Sequence, residues 1–373
     1  MRPARILVVD DEPGMLRAIE RVLAPIHQLS VTGSSREALA LASAMDPQLA
    51  ILDIRMPELD GFELMARLKS QHPGIDVILM TGSVDDQDDK LIRAIRGAAF
   101  YFIQKPFDRD VLRTLVDRCV ELQYQREENR RHVMRLEREM AGARAFQQGL
   151  LPNPAAVLNG IRVACRQTQS SEVGGDLYDY TSDASGRTAL LVADVAGHGA
   201  SAAMLTSVVK SAFRACEPDD YDPVAVTERV GAGIAPFGVE RFVTLIAARV
   251  SALDGRLTYV NAGHPAGLLW NAGGRRDRLA STGPLVSPAL IGAHWEAATL
   301  PIAAGDHLLL YTDGVIDALY RGEPSSESCV LGAIEKHAAG GEALLEAILE
   351  EISRHAGGHL PHDDVTLITA AVL

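Results

Sequence analysis

"HLLLYTDGVIDALY" (307–320) begins like a buried β-strand and then introduces a carboxylate where the strand should stay apolar. Apolar or aromatic residues at 308–311 lead to Asp313 and Gly314, and a second acid follows at Asp317. A buried carboxylate without a partner costs several kcal/mol, so it is normally paired, hydrogen-bonded or bound to a metal. The stretch therefore predicts a chemically engaged acid at the end of a core strand.

Three further segments place acids in similar surroundings. "SSEVGGDLYDY" (170–180) has Asp176 after two glycines, and "LLVADVAGHGASAAML" (190–205) has Asp194 at the end of a β-branched strand. "LPHDDVTLITAAV" (360–372) has Asp363 and Asp364 just before a strand. Oxygen ligands without the Cys or His spacing of zinc sites indicate Mg²⁺ or Mn²⁺. Two such ions bridged by an aspartate could activate water and hold a phosphoryl group.

The composition excludes several classes of protein. A chain of 373 residues is long enough for two domains, and 49 acidic against 36 basic residues give a net charge of −13, which argues against a nucleic-acid binder. No apolar run is long enough to span a membrane, and no signal peptide is visible at the start of the chain, so we expect a cytoplasmic location. The four widely separated cysteines predict reduced, mostly buried thiols. These are Cys119, Cys165, Cys216 and Cys329.

The first hundred residues alternate short β-branched strands with amphipathic helices. This alternation predicts an α/β doubly wound parallel sheet of the flavodoxin-like type, with its site at the carboxyl ends of the strands. The predicted strands are 5–10, 29–32, 49–53, 75–80 and 100–104, and the predicted helices are 14–24, 35–45, 61–71, 86–96 and one that starts at 108.

Five side chains at these strand ends predict one pocket. Asp10 and Asp11 end the first strand, Asp53 the third and Thr81 the fourth, and Lys105 follows the fifth. Three carboxylates in one pocket repel one another unless a cation neutralises them. Mg²⁺ suits such a site because it binds oxygen ligands and can bridge carboxylates to a phosphoryl group.

"VVDDEPGM", "ILDIRMPELDGFEL", "MTGS" and "FIQKPF" resemble, in order and spacing, the receiver domain of two-component response regulators over about residues 4–120. The resemblance implies that Asp53 accepts a phosphoryl group from a histidine kinase or phosphotransfer protein. It also implies that Asp10, Asp11 and the backbone carbonyl of Arg55 bind Mg²⁺, and that Thr81 and Lys105 bind the phosphoryl oxygens. Phe102 occupies the aromatic switch position, so no tyrosine hydroxyl is available there.

Residues 108–148 repeat apolar positions at alternating spacings of three and four, interrupted by Arg126 and Asn129. Such a heptad seam favours a parallel coiled-coil dimer, with Asn129 as a residue that could fix the register. A long solvated single helix is the alternative. We expect a receiver domain at 1–120, a coiled-coil linker helix at 121–148 and an output domain at 149–373.

The output region alternates strands with long helices and predicts an α+β sandwich with helices outside two sheets, an αββα arrangement. "FQQGLLP", "VGGDLYDY", "ADVAGHG", "RFVTLIAARVSALDGRLTYVNAGHPAGLLW", "GDHLLLYTDGVIDA" and "DDVTLI" resemble the PPM family of metal-dependent Ser/Thr protein phosphatases over about 145–373. The nearest branch by resemblance comprises the bacterial sporulation and stress-response phosphatases that control sigma factors.

This resemblance implies two Mn²⁺ or Mg²⁺ ions bridged by Asp194, with the Val195 carbonyl on one of them. Asp176, Asp313 and Asp363 would complete the site, Asp364 is not separable from Asp363 by sequence, and Asp317 could serve a third ion. The histidine that animal relatives carry two residues after the bridging acid is replaced by Ala196. His198 and His264 are expected to support the fold rather than catalysis.

The implied function is a phosphorylation-controlled phosphatase acting on a phosphoserine or phosphothreonine protein. By resemblance, that protein is an anti-sigma-factor antagonist of the small STAS type. The alternative is a non-enzymatic adaptor whose phosphatase-like domain binds a sigma factor or its regulator; retention of acids at 176, 194, 313 and 363 argues against it. A DNA-binding output lacks both a basic face and a helix-turn-helix segment.

Overall fold

The computed structural model divides the chain into two compact units, Met1–Arg135 and Leu136–Leu373. No helix among the residues it describes is long and apolar enough to cross a membrane. The described residues are 2–82, 100–171, 173–183, 185–197, 199–217, 220–319, 326–337, 340–355 and 363–373.

The first unit is built on a five-stranded parallel sheet. Its strand order is β2-β1-β3-β4-β5, which is the doubly wound order that the alternation of strands and helices predicts. The central strand β3 is buried along its whole length, as a parallel strand covered on both faces should be. The strands are β1 Arg5–Val9, β2 Gln28–Thr32, β3 Leu49–Asp53, β4 Asp76–Thr81 and β5 Tyr101–Gln104.

Helices cover both faces of this sheet and start at sequence-encoded caps. Ser34 accepts a hydrogen bond from the Glu37 amide and Asp60 accepts one from the Glu63 amide, which satisfies amides that the helix itself leaves unpaired. The predicted helix 86–96 lies outside the described residues. The helices are α1 Pro13–Leu23, α2 Ser35–Met45, α3 Gly61–Gln71 and α4 Arg109–Leu150.

Helix α4 is 42 residues long and changes character along its length. Its first turns bury Leu112, Val116 and Cys119 in the core of the first unit. Residues 124–139 are exposed on every face, including seam positions such as Val133 and Leu136, of which Leu136 is 56% exposed. The apolar seam predicted from sequence is therefore uncovered in the middle of the helix.

The second unit stacks two antiparallel sheets, of orders β14-β11-β10-β9-β8 and β13-β12-β15-β16-β7-β6. One apolar core lies between the sheets and two more lie under helices on their outer faces, so the expected αββα sandwich is confirmed. The strands are β6 Ala155–Leu158, β7 Ile161–Thr168, β8 Asp176–Ser182, β9 Thr188–Val195, β10 Val243–Ser251, β11 Arg256–Ala262, β12 Gly267–Trp270, β13 Arg276–Leu279, β14 Ala298–Pro301, β15 His307–Tyr311 and β16 Val365–Val372.

The outer helices come in two groups, one on each sheet. Helices α5 and α6 cover the sheet that contains β9, and α7, α8 and α9 cover the sheet that contains β16. The described cysteines are all free thiols, as predicted, and three of the four are buried. The helices are α5 Ala200–Arg214, α6 Pro223–Ile234, α7 Asp313–Leu319, α8 Ser326–Lys336 and α9 Gly341–His355.

One boundary differs from the sequence prediction. The strand that begins at His307 ends at Tyr311, and Asp313 starts α7 instead of ending the strand. Asp176 follows two glycines, as predicted, and is the first residue of strand β8. Both acids therefore lie at the rigid end of an element, where the backbone fixes their direction.

Candidate functional site: two carboxylate clusters

The first cluster lies at the carboxyl ends of β1 and β3, where a lysine joins two aspartates. Lys105 Nζ lies 2.6 Å from Asp10 Oδ2 and 2.9 Å from Asp53 Oδ1. Asp10 is fully buried and Asp53 nearly so. Backbone amides hold the carboxylates: Glu12 donates to Asp10 and Arg55 donates to Asp53. The geometry presents Asp53 as an oriented carboxylate with a cation at hydrogen-bond distance.

Burial and ion pairing act in opposite directions in this cluster. Burial raises the pKa of Asp10 above its ordinary value, although Lys105 works against the rise. Burial lowers the pKa of Lys105, but the hydrogen bonds that it donates to Asp10 and Asp53 outweigh burial, so the pKa is raised overall. The lysine therefore stays charged and available to a phosphoryl oxygen.

Two other predicted residues flank this cluster without joining its ion pairs. Thr81 is buried, and its carbonyl accepts a hydrogen bond from the Lys105 amide at 2.7 Å. Asp11 is exposed and makes no side-chain hydrogen bond with a described residue. Phe102 packs against the core formed by β3, β4 and α3. The structure thus brings Asp10, Asp53 and Lys105 together and leaves Asp11 at the rim.

The second cluster is assembled by both sheets of the other unit. Asp176 and Asp194 are direct cross-strand partners on β8 and β9. The Thr312 hydroxyl donates to the Asp176 carboxylate at 2.8 Å and accepts from the Thr366 amide at 3.0 Å. Thr312 therefore joins the two sheets at the point where Asp313 begins α7.

Asp313 is brought against residues 363–364 by a close backbone approach. A Cβ atom on Gly314 would lie 1.9 Å from the Asp364 carbonyl oxygen, which no side chain could tolerate. The glycine after Asp313 is therefore a packing requirement. It explains why an Asp-Gly pair ends this strand segment.

The four acids act on one another electrostatically. Burial raises the pKa of Asp194 to about 7, and Asp313, Asp363 and Asp364 add to the rise. Burial, followed by the charge of Asp194, raises the pKa of Asp176 well above its ordinary range. The pKa of Asp313 is raised by burial, then by Asp363 and Asp317. Negative charge is concentrated here without a described lysine or arginine paired to it.

Asp363 and Asp364 have different surroundings, which the sequence could not separate. Asp364 is buried, and its carboxylate accepts hydrogen bonds from the Ser170 amide, the Ser170 hydroxyl and the Gly175 amide at 2.8–3.1 Å. Asp363 is exposed and accepts only the amide of its neighbour Asp364 in the described structure. The Asp364 carboxylate therefore holds the loop before β8, whereas the Asp363 carboxylate is available to bind a cation.

The two glycines before Asp176 are explained by the same contacts. A Cβ on Gly174 would lie 1.9 Å from the Asp364 carboxylate, and one on Gly175 would lie 2.5 Å from the Val195 carbonyl. The loop therefore fits between the acid at the start of β16 and the end of β9. The Val195 carbonyl consequently borders the cluster.

The donor set suits a hard divalent cation. Three of these carboxylates, Asp176, Asp194 and Asp313, have raised pKa values, none has a described cationic partner, and all the donors are oxygen atoms. Among the described residues no three acidic, imidazole or thiol groups already converge as a finished coordination set. The residues fit the ion by charge and by the chemistry of their oxygen donors.

Two histidines singled out in the sequence have different outcomes. His198 lies outside the described residues. His264 is buried; burial lowers its pKa to about 3, and its Nδ1 lies 2.7 Å from the Thr244 hydroxyl. A neutral, enclosed imidazole supports the fold. Ala196, at the position of the missing histidine, bonds through its amide to the Phe242 carbonyl.

Gln147, in the last turn of α4, is a site residue that the sequence reasoning missed. It is buried, donates to the Gly174 carbonyl at 2.7 Å and accepts from the Gly174 amide at 3.2 Å. It also contacts the Thr206 hydroxyl on α5. The signal was a glutamine pair in "FQQGLLP", where polar residues enter an otherwise apolar helix end.

Comparisons with known proteins agree with this architecture. The family described as stage II sporulation protein E (SpoIIE) matches residues 184–373, and the response regulator receiver domain family matches residues 6–117. Phosphoserine phosphatase RsbP of Bacillus subtilis is 27% identical over 241 residues, which cover 63% of this chain and 58% of RsbP. The chain thus spans less than two thirds of that relative's length.

Solved structures are also similar to part of this chain. The structure of the RsbU and RsbW domains of Rv1364c from Mycobacterium tuberculosis aligns with a TM-score of 0.50 at 25% identity, covering 59% of this chain and 61% of that one. The SiaA-PP2C domain of Pseudomonas aeruginosa aligns with a TM-score of 0.55 at 19% identity, covering 64% and 98%, which supports the fold.

The second unit has the fold of PP2C-type domains, and the chain joins it to a response-regulator receiver domain. More specifically, the chain belongs to the SpoIIE family.

Proposed function

We propose that this protein is a divalent-metal-dependent phosphatase of phosphoserine and phosphothreonine proteins, controlled by phosphorylation of its receiver domain. The observation that carries the proposal is a group of four acids: Asp176 and Asp194 on strands of one sheet, Asp313 at the start of α7, and Asp363 just before β16 of the other sheet. A non-enzymatic adaptor domain would have no use for these carboxylates, because their mutual repulsion destabilises the fold.

The proposed ligands of two Mn²⁺ or Mg²⁺ ions are these four carboxylates and the Val195 carbonyl, with Asp194 shared. When bound, such ions supply a Lewis acid that stabilises negative charge on phosphoryl oxygens. Thr312 orients Asp176, and Asp364 holds the Gly174–Gly175 loop against β16. Preorganised supports of this kind keep ligands in place during turnover.

In the receiver domain we propose Asp53 as the phosphoacceptor and Lys105 as the cation that holds the phosphoryl group. Asp10, Asp11 and the Arg55 carbonyl are the proposed Mg²⁺ ligands. The distance of 2.9 Å between Lys105 Nζ and Asp53 supports the assignment. A histidine kinase or phosphotransfer protein is the proposed phosphodonor.

Helix α4 is the proposed route of control. It begins in the receiver core and ends at Leu150. In its last turn, the Gln147 side chain donates a hydrogen bond to the carbonyl of Gly174, two residues before Asp176. The exposed apolar seam near Val133 and Leu136 supports a parallel coiled-coil dimer of two copies. A change in seam packing would move Gln147 and thereby the loop that carries Asp176. We place the linker at 121–148, between domains at 1–120 and 149–373.

The proposed substrate is an anti-sigma-factor antagonist of the STAS type within a partner-switching pathway. Support comes from the similarity to RsbP, a phosphoserine phosphatase. A phosphorylated STAS protein should lose its phosphate faster than an unrelated phosphoserine peptide. Equal rates for both would remove the STAS assignment while leaving the phosphatase assignment in place.

The test of the activity is Mn²⁺-dependent hydrolysis of p-nitrophenyl phosphate by the full chain. Wild type should turn over the substrate, and Asp194→Asn should lose at least about a hundredfold of the rate, as expected when a central metal ligand is removed. Glu335→Gln, an exposed change on α8, is the control. Equal rates in wild type and Asp194→Asn, or no rate in either, would favour the adaptor.

The test of control uses beryllofluoride, which mimics a phosphoryl group on Asp53. Saturating it on wild type should change the phosphatase rate, and Asp53→Asn should abolish the response without abolishing the basal rate. An unchanged rate at full receiver occupancy would refute the proposed coupling.

A further inference from the structure

Arg241 lies two residues before strand β10, beside the loop that follows Asp194. Strand β10 pairs with β9 so that Thr244 faces Asp194 and Val243 faces Val195. The pairing continues past the strand ends, because the Ala196 amide donates to the Phe242 carbonyl at 2.9 Å. Arg241 precedes Phe242 and Gly197 follows Ala196, so these two residues come next to each other beyond the last paired positions.

The guanidinium of Arg241 rests against Gly197. A Cβ atom on Gly197 would meet Arg241 Nη1 at 3.6 Å, and the φ of +106° there favours glycine in any case. The Gly197 carbonyl in turn borders Gly175, the residue before Asp176. The arginine is thus placed at the edge of the carboxylate cluster.

Arg241 differs in its partners from other arginines of the second unit. Arg214 and Arg275 are each paired with a carboxylate. The side chain of Arg241 is half-buried and makes no hydrogen bond or ion pair with any residue that the structure describes. A guanidinium held beside an acidic site, but not paired with it, is available to an anion that comes from outside.

The substrate of the proposed phosphatase supplies that anion. A phosphoserine monoester carries close to two negative charges near pH 7. The planar fork of a guanidinium binds phosphate oxygens through two parallel hydrogen bonds, which an ammonium group cannot do. The described acids of the cluster would repel this dianion, so a positive group at the rim is needed to orient it beside bound cations.

We propose that Arg241 binds the phosphoryl group of the substrate and sets its orientation at the site. The inference rests on the proposed phosphatase function and adds the residue that recognises the anion. It also predicts that inorganic phosphate, the product, competes for the same guanidinium.

The experiment compares wild type, Arg241→Ala, Arg241→Lys and the control Arg256→Ala in the full chain. Arg256 is an exposed arginine at the start of β11, where β11 pairs with the far end of β10. The measurements are the inhibition constant of inorganic phosphate, kcat/KM for p-nitrophenyl phosphate, and calorimetric titration of phosphate into the Mn²⁺-loaded protein.

Arg241→Ala should raise the phosphate inhibition constant about tenfold or more and lower kcat/KM similarly, with Arg241→Lys in between and Arg256→Ala unchanged. Phosphate binding that is equal in wild type and Arg241→Ala would overturn the inference, even if turnover fell through a structural effect. Calorimetry separates the phosphatase proposal from the Arg241 proposal. If wild type binds phosphate through Arg241 but does not hydrolyse p-nitrophenyl phosphate, the phosphatase proposal is refuted and the role of Arg241 in binding phosphate is supported.

Discussion

Replacing the central acid of the cluster should stabilise the metal-free phosphatase unit. Asp194→Asn removes a charge that burial and three neighbouring acids disfavour, and these same effects raise its pKa to about 7. The variant should therefore unfold at higher denaturant concentration than wild type in EDTA above pH 7. A residue proposed for metal binding would thus lower the stability of the protein when no ion is bound.

The magnitude follows from the pKa difference between the folded and unfolded chains. The ordinary carboxyl pKa is 3.8, so from about pH 4 to pH 7 the folded protein holds a proton that the unfolded chain releases. Stability consequently falls as pH rises through this window, by about 1.4 kcal/mol per pH unit. The full effect at pH 8 is about 4 kcal/mol as an upper limit, because relaxation and solvent screening reduce it.

A second buried group works in the opposite direction and must be separated from the first. The pKa of His264 is lowered to about 3 by burial, so its contribution to stability is lost as pH falls below its ordinary value of 6.5. Wild type and Asp194→Asn share this histidine. The difference between their free energies of unfolding therefore isolates the aspartate.

The assay is urea unfolding at pH 6, 7 and 8 in EDTA, followed by tryptophan fluorescence. Both tryptophans of the chain, Trp270 and Trp295, lie in the second unit and report its transition. The advantage of Asp194→Asn should grow from pH 6 to pH 7 and then level off, while Glu335→Gln should match wild type. Destabilisation at pH 8, or an advantage independent of pH, would refute the reasoning.

Three further substitutions test buried polar contacts of the second unit. Asp364→Ala should lower the free energy of unfolding by about 3–5 kcal/mol, because three donors lose a buried carboxylate; urea unfolding in EDTA measures this, and no loss would contradict it. Asp179→Ala should lower the free energy of unfolding by about 2–4 kcal/mol, because Lys210 and Arg214 on α5 would lose their buried carboxylate partner. Thermal unfolding measures this change. An unchanged stability would show that water solvates the two cations as well as the carboxylate does. Gln147→Ala should remove the rate response to beryllofluoride, whereas Gln148→Ala, an exposed neighbour, should keep it; a retained response in Gln147→Ala would exclude this glutamine from the route of control.

The sequence was sufficient to predict strands and candidate site residues where the local residue pattern agrees with the tertiary packing. Strand β9 could be predicted because its apolar run leads to Asp194 near the end of the strand and is followed by glycines and a helix that starts with small residues. The five strands of the first unit followed from their alternation with helices, since parallel strands need crossover connections. Acids at strand ends in such folds could therefore be identified as candidates.

The sequence failed where long-range contacts decide the conformation. The strand after His307 ends early because Gly314 must pass close to the Asp364 backbone, and that neighbour is remote in sequence. The separate surroundings of Asp363 and Asp364 depend on Ser170 and Gly175, which lie almost two hundred residues away. Adjacent identical residues give no local signal for such a distinction.

The most direct test of the central claim, that four distant carboxylates form one divalent-cation site, is the stabilisation of the second unit by Mn²⁺. Tryptophan-detected urea unfolding at pH 8 would compare wild type with Asp176→Asn, Asp194→Asn, Asp313→Asn and Asp363→Asn, each with and without Mn²⁺. Wild type should gain stability as Mn²⁺ rises, and each of the four variants should lose most of that gain. A full gain in any variant, or no gain in wild type, would contradict the account.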